Sequence, residues 1–324
     1  MKRKGGKGKV FLVFLVVLLL AALVLPYLVP LSAPAHAPES LPFVNSAFVE
    51  AAGTRIHYRL AVPEGPPPLG KLLLIHGLAG STFSFEALTP LLVQAGVVVV
   101  MVDLPGFGYS ARDLDYDHSQ RNRAQDLWQL LSQVDDSLAP ALAAQPWYLA
   151  GHSMGGGTAY AMALQQPDRS LGLVLMDAPL TGGSRSGLLS VPPFLQWTLL
   201  ALEHLVLNEQ RIGSFLESAY GQKPDEQQVA GYLAPLRVPG TAQSLGRMVR
   251  TAREEDLAGF PDLPLPVLAI WGEKDRWVPL SALTALQALR PDMTALVVKG
   301  AGHCPMETHP QEVAEALLAW MKGN

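Results

Sequence analysis

The sequence has only one cysteine among 324 residues, few charged side chains and no long polar tract. The single thiol, Cys304, excludes a disulfide framework and any zinc or iron–sulfur site built from several cysteines. Charged residues make up 16% of the chain and hydrophobic residues 49%, which is the opposite of a disordered composition. The length suffices for one large domain or two ordinary ones.

Basic residues are scarce outside the N-terminus. Five of the 24 Lys and Arg lie in residues 1–31, which contain no acidic residue. Residues 32–324 therefore carry 19 basic and 28 acidic side chains, a net charge of −9. A body this acidic has no general attraction for phosphate backbones, so nucleic-acid binding is excluded as a first interpretation.

A long hydrophobic run follows the basic residues 1–9. Residues 10–31 are almost entirely apolar, and a bilayer core needs roughly 20 such residues in a helix. The basic flank should stay cytoplasmic, which places the rest of the chain on the non-cytoplasmic side of a membrane. A cleaved signal peptide is the alternative, since small-residue sites occur at Ala33–Ala35 and Ala35–Ala37, and it would leave a secreted or periplasmic protein. Both interpretations predict export.

The remaining chain predicts a short linker and one α/β domain. Residues 32–43 are typical of an extended linker, and residues 44–322 form the domain. Segments 44–50 and 55–62 predict an antiparallel pair, after which short apolar runs alternate with helical stretches. This alternation predicts a mostly parallel, doubly wound sheet. The further strands are predicted at 71–75, 97–102, 147–150, 171–176, 266–271 and 294–298, and the helices at about 85–94, 122–142, 154–165, 280–289 and 311–321.

The strand rhythm stops at about residues 180–260. Leu, Gln, Glu and Arg at helical spacing predict a helical cap there, because about 80 residues are too many for a plain connection. Within it, Leu188–Leu207, with Phe194 and Trp197, either lines an acyl pocket or forms the core of the cap. The sequence leaves both interpretations open.

The strongest chemical signal is Gly151-His152-Ser153-Met154-Gly155, between a predicted strand and a predicted helix. In that setting a G-x-S-x-G pentapeptide forms a sharp turn that exposes the serine hydroxyl, and Gly151 and Gly155 leave room for it. The helix that follows directs its positive end at negative charge developing there. Ser153 is therefore the candidate nucleophile.

A serine needs a base and an acid to orient that base. His303, just after the last predicted strand, is the candidate base. Asp275, after the strand that ends at residue 271, is the candidate acid, and the order Ser153, Asp275, His303 fits this architecture. Asp177, at another strand end, and the neighbouring Glu273 are rivals for the acid.

A developing oxyanion needs two backbone N–H donors. One is expected from Met154, directly after the nucleophile. The other is expected from Leu78, in the loop after residues 71–75, where Gly77 permits the turn. His76 in the same loop is interpreted as a structural hydrogen-bonding residue.

These motifs, in this order, resemble the α/β-hydrolase superfamily of the capped, single-domain kind over about residues 44–322. The resemblance rests on His76-Gly77, Asp103–Ser110, Gly-His-Ser-Met-Gly, Trp-Gly-Glu-Lys-Asp275 and Gly-His303. It implies acyl transfer in which Ser153 attacks, His303 carries the proton and Asp275 orients the histidine. It also implies that Asp103 is part of the scaffold.

The resemblance leaves the reaction open. Hydrolysis of a carboxylic ester of a moderately hydrophobic small molecule is expected, while carbon–carbon bond hydrolysis, amide hydrolysis and haloperoxidase or perhydrolase chemistry use the same triad. Relatives with an aspartate nucleophile are disfavoured by Ser153. A membrane-tethered binding protein without catalysis is the alternative of another class. No metal and no organic cofactor is implied, and Cys304 is interpreted as a packing residue.

Overall fold

The computed structural model describes residues 6–34, 42–65, 69–180 and 191–324. Within these ranges eight strands form one sheet in the order β1-β2-β4-β3-β5-β6-β7-β8. The pairs β1–β2 and β2–β4 are antiparallel, and the other neighbouring strands are parallel. The predicted fold class is thereby confirmed. The strands are β1 Ser46–Ala51, β2 Thr54–Ala61, β3 Gly70–Ile75, β4 Val97–Val102, β5 Trp147–His152, β6 Ser170–Met176, β7 Val267–Gly272 and β8 Thr294–Val298.

Helices cover both faces of this sheet. Leu73 and Ile75 of β3 pack in one core, while Leu72 and Leu74 pack in the other, because alternate side chains of a strand point to opposite faces. Helices α3, α5 and α10 contribute to the first core, and α2 and α12 to the second. The helices are α1 Gly6–Val24, α2 Thr89–Gln94, α3 Gln120–Ser137, α4 Pro140–Ala143, α5 Met154–Gln165, α6 Pro192–Ala201, α7 Glu209–Tyr220, α8 Glu226–Leu236, α9 Thr241–Thr251, α10 Leu280–Leu289, α11 Pro305–Thr308 and α12 Pro310–Gly323.

Two predicted helices have different bounds in the structure. The helix predicted at 85–94 is a 3₁₀ turn at Thr82–Phe85 followed by α2, whose first turn contains Pro90. Proline lacks an N–H and suits a helix start, which explains the late beginning. The helix predicted at 122–142 ends at Ser137, because the backbone is extended before Pro140 begins α4.

The predicted helical cap lies between β6 and β7 and comprises α6 to α9. Ile212 and Leu216 of α7 and Leu233 of α8 join the second core of the sheet. Helices α6 and α9 pack against each other through Leu195, Leu199 and Ala242. The beginning of the predicted cap, residues 181–190, lies outside the described residues, as do residues 35–41 of the predicted linker.

The N-terminal hydrophobic run is the helix α1, followed by a 3₁₀ turn at Leu25–Tyr27. In the part of the chain that the structure describes, it is the one helix long and apolar enough to cross a membrane, from Lys9 to Tyr27 with a mean hydropathy of 3.0. An anchor and a signal sequence share this property. The domain boundaries set from the sequence stay predictions.

Candidate active site

Ser153 lies in a strained turn between β5 and α5. Its φ of +50° and ψ of −122° place a non-glycine residue in a region that side chains rarely adopt. Its amide donates to the Met176 carbonyl at 2.9 Å, which holds the turn against β6. A Cβ on Gly151 would lie 2.2 Å from the Gly155 oxygen, and one on Gly155 would lie 2.3 Å from the Ile75 oxygen. Both positions therefore require glycine.

His303 and Asp275 are brought together by the loops that follow β8 and β7. The His303 Nδ1 lies 2.7 Å from the Asp275 Oδ2, and both residues are buried. The other oxygen of Asp275 accepts from the amides of Trp277 at 2.7 Å and Val278 at 3.0 Å. Burial by itself would raise the pKa of Asp275, but the hydrogen bond and charge of His303 and the Val278 amide outweigh it and lower the pKa. Asp275 therefore stays ionised beside the histidine.

The two rival carboxylates have other partners. The Asp177 Oδ1 accepts from the Gly272 amide at 2.8 Å and joins β6 to β7. Burial, followed by the neighbouring charge of Asp275, raises the pKa of Asp177 well above its usual range. Glu273 is exposed and accepts from the Gly300 amide at 2.9 Å. Asp177 nevertheless belongs to the cluster, because one ligand atom from each of Asp177, Asp275 and His303 lies within 4.8 Å of the others.

Two further histidines fix the loops around the serine. The Leu104 amide donates to the His76 Nε2 at 3.0 Å, so the Nδ1 carries the proton that His76 donates to the Gly77 carbonyl at 2.7 Å. The His152 Nε2 lies 2.7 Å from the His303 carbonyl oxygen, to which it donates. Burial and the charge of His303 lower the pKa of His152 to about 3, so this ring is neutral. Both residues act on the loop geometry.

A cavity of about 180 Å³ is bordered by Ser153, His303 and Leu78 among the predicted site residues. Gly77 lies so close to the turn that a Cβ on it would be 3.0 Å from the Ser153 Cβ. Met154 begins α5, and the first amides of a helix have no acceptor within that helix. Leu78 borders the cavity with Ser153, and Met154 follows Ser153 in the chain, so both residues stay candidates for the oxyanion hole. The cavity is lined by Gly77, Leu78, Ala79, Gly80, Ser84, His152, Ser153, Phe215, Leu216, Ala219, Tyr232, Trp277, Val278, His303 and Cys304.

The cap contributes to this cavity through α7 and α8, which sequence analysis did not single out. The Phe215 and Trp277 rings lie 4.9 Å apart, and the Trp277 ring lies 5.1 Å from that of His303. The His303 amide donates to the Ala219 carbonyl at 2.7 Å. The cap therefore holds both the acid loop and the base loop. The sequence signal that could have placed Trp277 at the cavity is its position two residues after Asp275.

The expectation that Leu188–Leu207 lines an acyl pocket is not met by its described residues. Neither Phe194 nor Trp197 borders the cavity, and both side chains are exposed. Leu195 and Leu199 instead pack with α9 in the core of the cap. The stretch therefore divides between the core of the cap and its surface.

Glu307 forms a polar cluster behind the cavity. Its carboxylate accepts from the Tyr220 hydroxyl of α7 at 2.6 Å and from the Tyr232 hydroxyl of α8 at 2.5 Å. The Tyr232 hydroxyl also lies 2.9 Å from the Ser84 Oγ. Burial raises the pKa of Glu307 to about 7, although the tyrosine hydrogen bonds oppose the shift. Burial likewise raises the pKa of the Cys304 thiol, which stays protonated.

Comparisons with known proteins place the chain in a family. A model described as alpha/beta hydrolase family matches residues 72–316. The chain belongs to the alpha/beta hydrolase family. The pimeloyl-[acyl-carrier protein] methyl ester esterase of Serratia marcescens is 30% identical over 267 residues, which cover 78% of this chain and 94% of that protein. Lipase 3 of a Moraxella species is 26% identical over 257 residues, covering 78% and 77%.

Solved structures share the same fold. The crystal structure of a membrane phospholipase A superposes with a TM-score of 0.65 at 23% identity and covers 97% of this chain and 98% of its own. A probable hydrolytic enzyme from Pseudomonas aeruginosa superposes with a TM-score of 0.69 at 20% identity, covering 89% and 98%. The chain is a hydrolase by family, and hydrolases of this family take small-molecule substrates.

Proposed function

We propose that the chain is a membrane-tethered serine esterase that hydrolyses a carboxylic ester of a moderately hydrophobic substrate. One observation carries the proposal. Ser153, held in a strained turn, borders the same cavity as His303, whose Nδ1 lies 2.7 Å from Asp275. A nucleophile, a base and an oriented acid around one cavity are the elements of acyl transfer.

Each residue has one role in the reaction. Because Asp275 accepts from the His303 Nδ1–H, the Nε2 is free to take the proton of Ser153 as its Oγ attacks the ester carbonyl. The amides of Leu78 and Met154 stabilise the oxyanion, and loss of one such donor typically costs about 3 kcal/mol. The protonated histidine then gives its proton to the leaving alcohol, and water activated by the same base releases the acid.

The size and the lining of the cavity favour a substrate with a small, apolar acyl group. Its volume of about 180 Å³ is below the usual range for ligand sites, roughly 300–1,000 Å³. Apolar side chains of Phe215, Leu216, Trp277 and Val278 form much of its wall. The esterase and lipases among the relatives act on esters by their names, which agrees with this substrate class.

The tether is α1. Three basic residues before α1 and two in its first turn favour a cytoplasmic N-terminus, so the hydrolase domain would lie on the non-cytoplasmic side. Signal cleavage after the same helix would instead release the domain. The mass of the mature protein distinguishes the two, since cleavage at the small-residue sites removes residues 1–35 or 1–37.

Intact-mass analysis after treatment with a fluorophosphonate tests the nucleophile. In this reaction the serine oxygen displaces fluoride from phosphorus, so one adduct is expected on the full chain in detergent and none on Ser153→Ala. Ser81→Ala, at a buried serine four residues after Gly77 that does not border the cavity, is the matched control and should label normally. An adduct on Ser153→Ala would overturn the assignment. Absence of an adduct on the wild type would favour a binding protein.

A panel of nitrophenyl esters of increasing chain length then tests the reaction. Turnover should be highest with short acyl groups, because the cavity is small. A chain that forms the fluorophosphonate adduct but cleaves none of these esters would point to carbon–carbon, amide or peracid chemistry instead.

A further inference from the structure

Cap helix α6 carries apolar side chains on both of its sides. No charged residue occurs from Val191 to Leu202. Leu195 and Leu199 point into the cap, whereas on the outer side Phe194 is 50% exposed and Trp197 is 43% exposed. Large apolar side chains of a helix are normally enclosed. Phe194 and Trp197 therefore leave part of the outer side of α6 apolar and exposed.

That outer side contacts the candidate membrane span directly. The indole N–H of Trp197 donates to the carbonyl of Ala22 in α1 at 2.8 Å. In a regular helix this carbonyl would accept from the amide four residues later, but that residue is Pro26, which has no N–H. An unsatisfied carbonyl is costly in a bilayer, so Trp197 supplies the donor that the proline removes.

The chain leaving α1 is fixed to the cap as well. Leu31 packs against the cluster of Leu195 and Leu199. The amide and hydroxyl of Ser32 donate to the Glu203 Oε1 at 2.8 and 2.6 Å, and Gln243 of α9 donates to the Ser32 carbonyl at 2.6 Å. These contacts leave α6 little freedom to move away from the end of α1.

We propose that the α6 surface lies in the lipid–water interface of the membrane that α1 crosses, so that the lipid bilayer covers it. The α6 surface comprises the exposed side chains Val191, Phe194, Trp197, Leu205 and Val206. The inference rests on the proposed tether and is independent of the reaction.

The depth follows from helix geometry. Ala22 precedes Tyr27, the last residue of the candidate span, by five residues. Trp197 therefore contacts α1 about 7 Å inside the end of that span. Tryptophan and tyrosine are enriched at this level of a bilayer, where an apolar ring and a polar N–H or O–H are both accommodated. A lipid surface thus fits the exposed apolar side chains of the α6 surface, two of which are aromatic.

Quenching of tryptophan fluorescence by brominated phosphatidylcholine tests the proposal on the full chain in vesicles. Wild-type emission should be quenched, and Trp197→Phe should lower the quenched fraction at least twofold. Trp320→Phe is the matched control, since Trp320 on α12 is 8% exposed and does not border the cavity, and it should be quenched at least as strongly as the wild type. Equal quenching of Trp197→Phe and wild type would overturn the proposal. Turnover of a short soluble ester verifies that each variant is folded.

A nitroxide label gives a second, independent measurement. Cys304 is buried, so a label would react with an introduced surface cysteine. A label on Phe194→Cys should be relaxed more by oxygen than by a water-soluble nickel chelate, whereas one on Leu289→Cys, 42% exposed on α10, should show the reverse. Equal access of the chelate to both labels would contradict the proposal. Failure of the wild type to float with vesicles would refute the tether and this surface together, while fluorophosphonate labelling would be unaffected.

Discussion

The described residues contain two groups of a serine, a histidine and an aspartate. The two groups share a histidine–aspartate hydrogen bond, but one is closed off by other side chains and the other borders a cavity. In each, the histidine Nδ1 lies 2.7 Å from an aspartate Oδ2. In one, the remaining histidine nitrogen is 2.7 Å from a serine Oγ. In the other, serine and histidine border one cavity. The two groups are Ser46, His57 and Asp103, and Ser153, His303 and Asp275.

Access and backbone geometry separate the two groups. Ser46 lies on an extended strand, and its Oγ already accepts from the Phe43 amide at 3.1 Å. His57 is fully buried beneath the rings of Phe43, Phe48 and Tyr109. Ser153 instead occupies a strained turn at a cavity, next to a helix start. A hydrogen-bonded chain of the three side chains therefore does not by itself make an active site.

The closed group holds the antiparallel end of the sheet. Asp103 accepts from the amides of Thr82 at 2.6 Å and Tyr109 at 2.7 Å, while His57 on β2 links it to Ser46 on β1. Burial opposes ionisation of Asp103, but the hydrogen bond and charge of His57 outweigh it and lower the pKa. We therefore expect this group to act on stability and the cavity group to act on turnover.

Replacing the two histidines should give the largest difference between the two groups. His303→Gln removes the general base, so kcat should fall by about 10⁴ or more, as removal of a triad histidine does elsewhere. His57→Gln should leave kcat within a few-fold but lower the free energy of unfolding by about 3 kcal/mol, because Asp103 loses its buried partner. Ester turnover and urea unfolding measure the two effects. Loss of fluorophosphonate labelling in His57→Gln alone would reverse the assignment.

Replacing the aspartates should give a smaller loss of rate. Asp275→Asn should lower kcat by up to about 10⁴, since the histidine loses the partner that sets its tautomer. Asp177→Asn is the matched control at the neighbouring strand end. It should cost less than about tenfold, because burial raises the pKa of Asp177 and so favours the neutral carboxyl, which asparagine resembles in shape. Near-normal turnover of Asp275→Asn with an inactive Asp177→Asn would make Asp177 the acid.

The sheet was predictable because its signals are local. The strands predicted at 97–102 and 294–298 have those bounds in the structure, because short apolar runs bounded by turn residues specify strands. The first is buried throughout, whereas the second is an edge strand in which only Val298 is buried. The candidate site was predictable for a similar reason, as each of its motifs sits at the end of a strand. Roles of the individual residues still await the substitutions above.

Long-range contacts were not predictable from the sequence. His57 and Asp103 are 46 residues apart and show no spacing that pairs them. Tyr220 and Tyr232 likewise meet Glu307 across 87 and 75 residues. The described part of the cap consists of helices joined by short turns, so periodicity gives its helices but not which of them borders the cavity. Trp197 illustrates this. Its sequence context fits either an acyl pocket or the core of the cap, and in the structure Trp197 contacts α1.

The smallest expected effect is a pH dependence of the free energy of unfolding. Glu307, beneath the cap, should contribute to it, and Asp103, at the antiparallel end of the sheet, should not. Glu307 has a folded pKa of about 7, above its ordinary value of 4.5. The native state therefore holds a proton that the unfolded chain releases between these values, so the free energy of unfolding falls as pH rises through this window. A shift of this size corresponds to about 2–3 kcal/mol between pH 5 and pH 8. Asp103, with a lowered pKa, contributes nothing over the same range.

Glu307→Gln should remove most of that pH dependence. The amide keeps one oxygen to accept from a tyrosine hydroxyl of the cap but does not ionise, so the variant should lose about 2 kcal/mol less than the wild type between pH 5 and pH 8. Urea unfolding at the two pH values measures this, and Glu315→Gln, at an exposed glutamate of α12, is the control. A wild-type pH dependence retained in Glu307→Gln would assign the titration to another group. Because Tyr220 and Tyr232 of the cap cover Glu307, the cost of burying its charge should favour opening of the cap beside His303 and leave the group of Ser46, His57 and Asp103 unchanged.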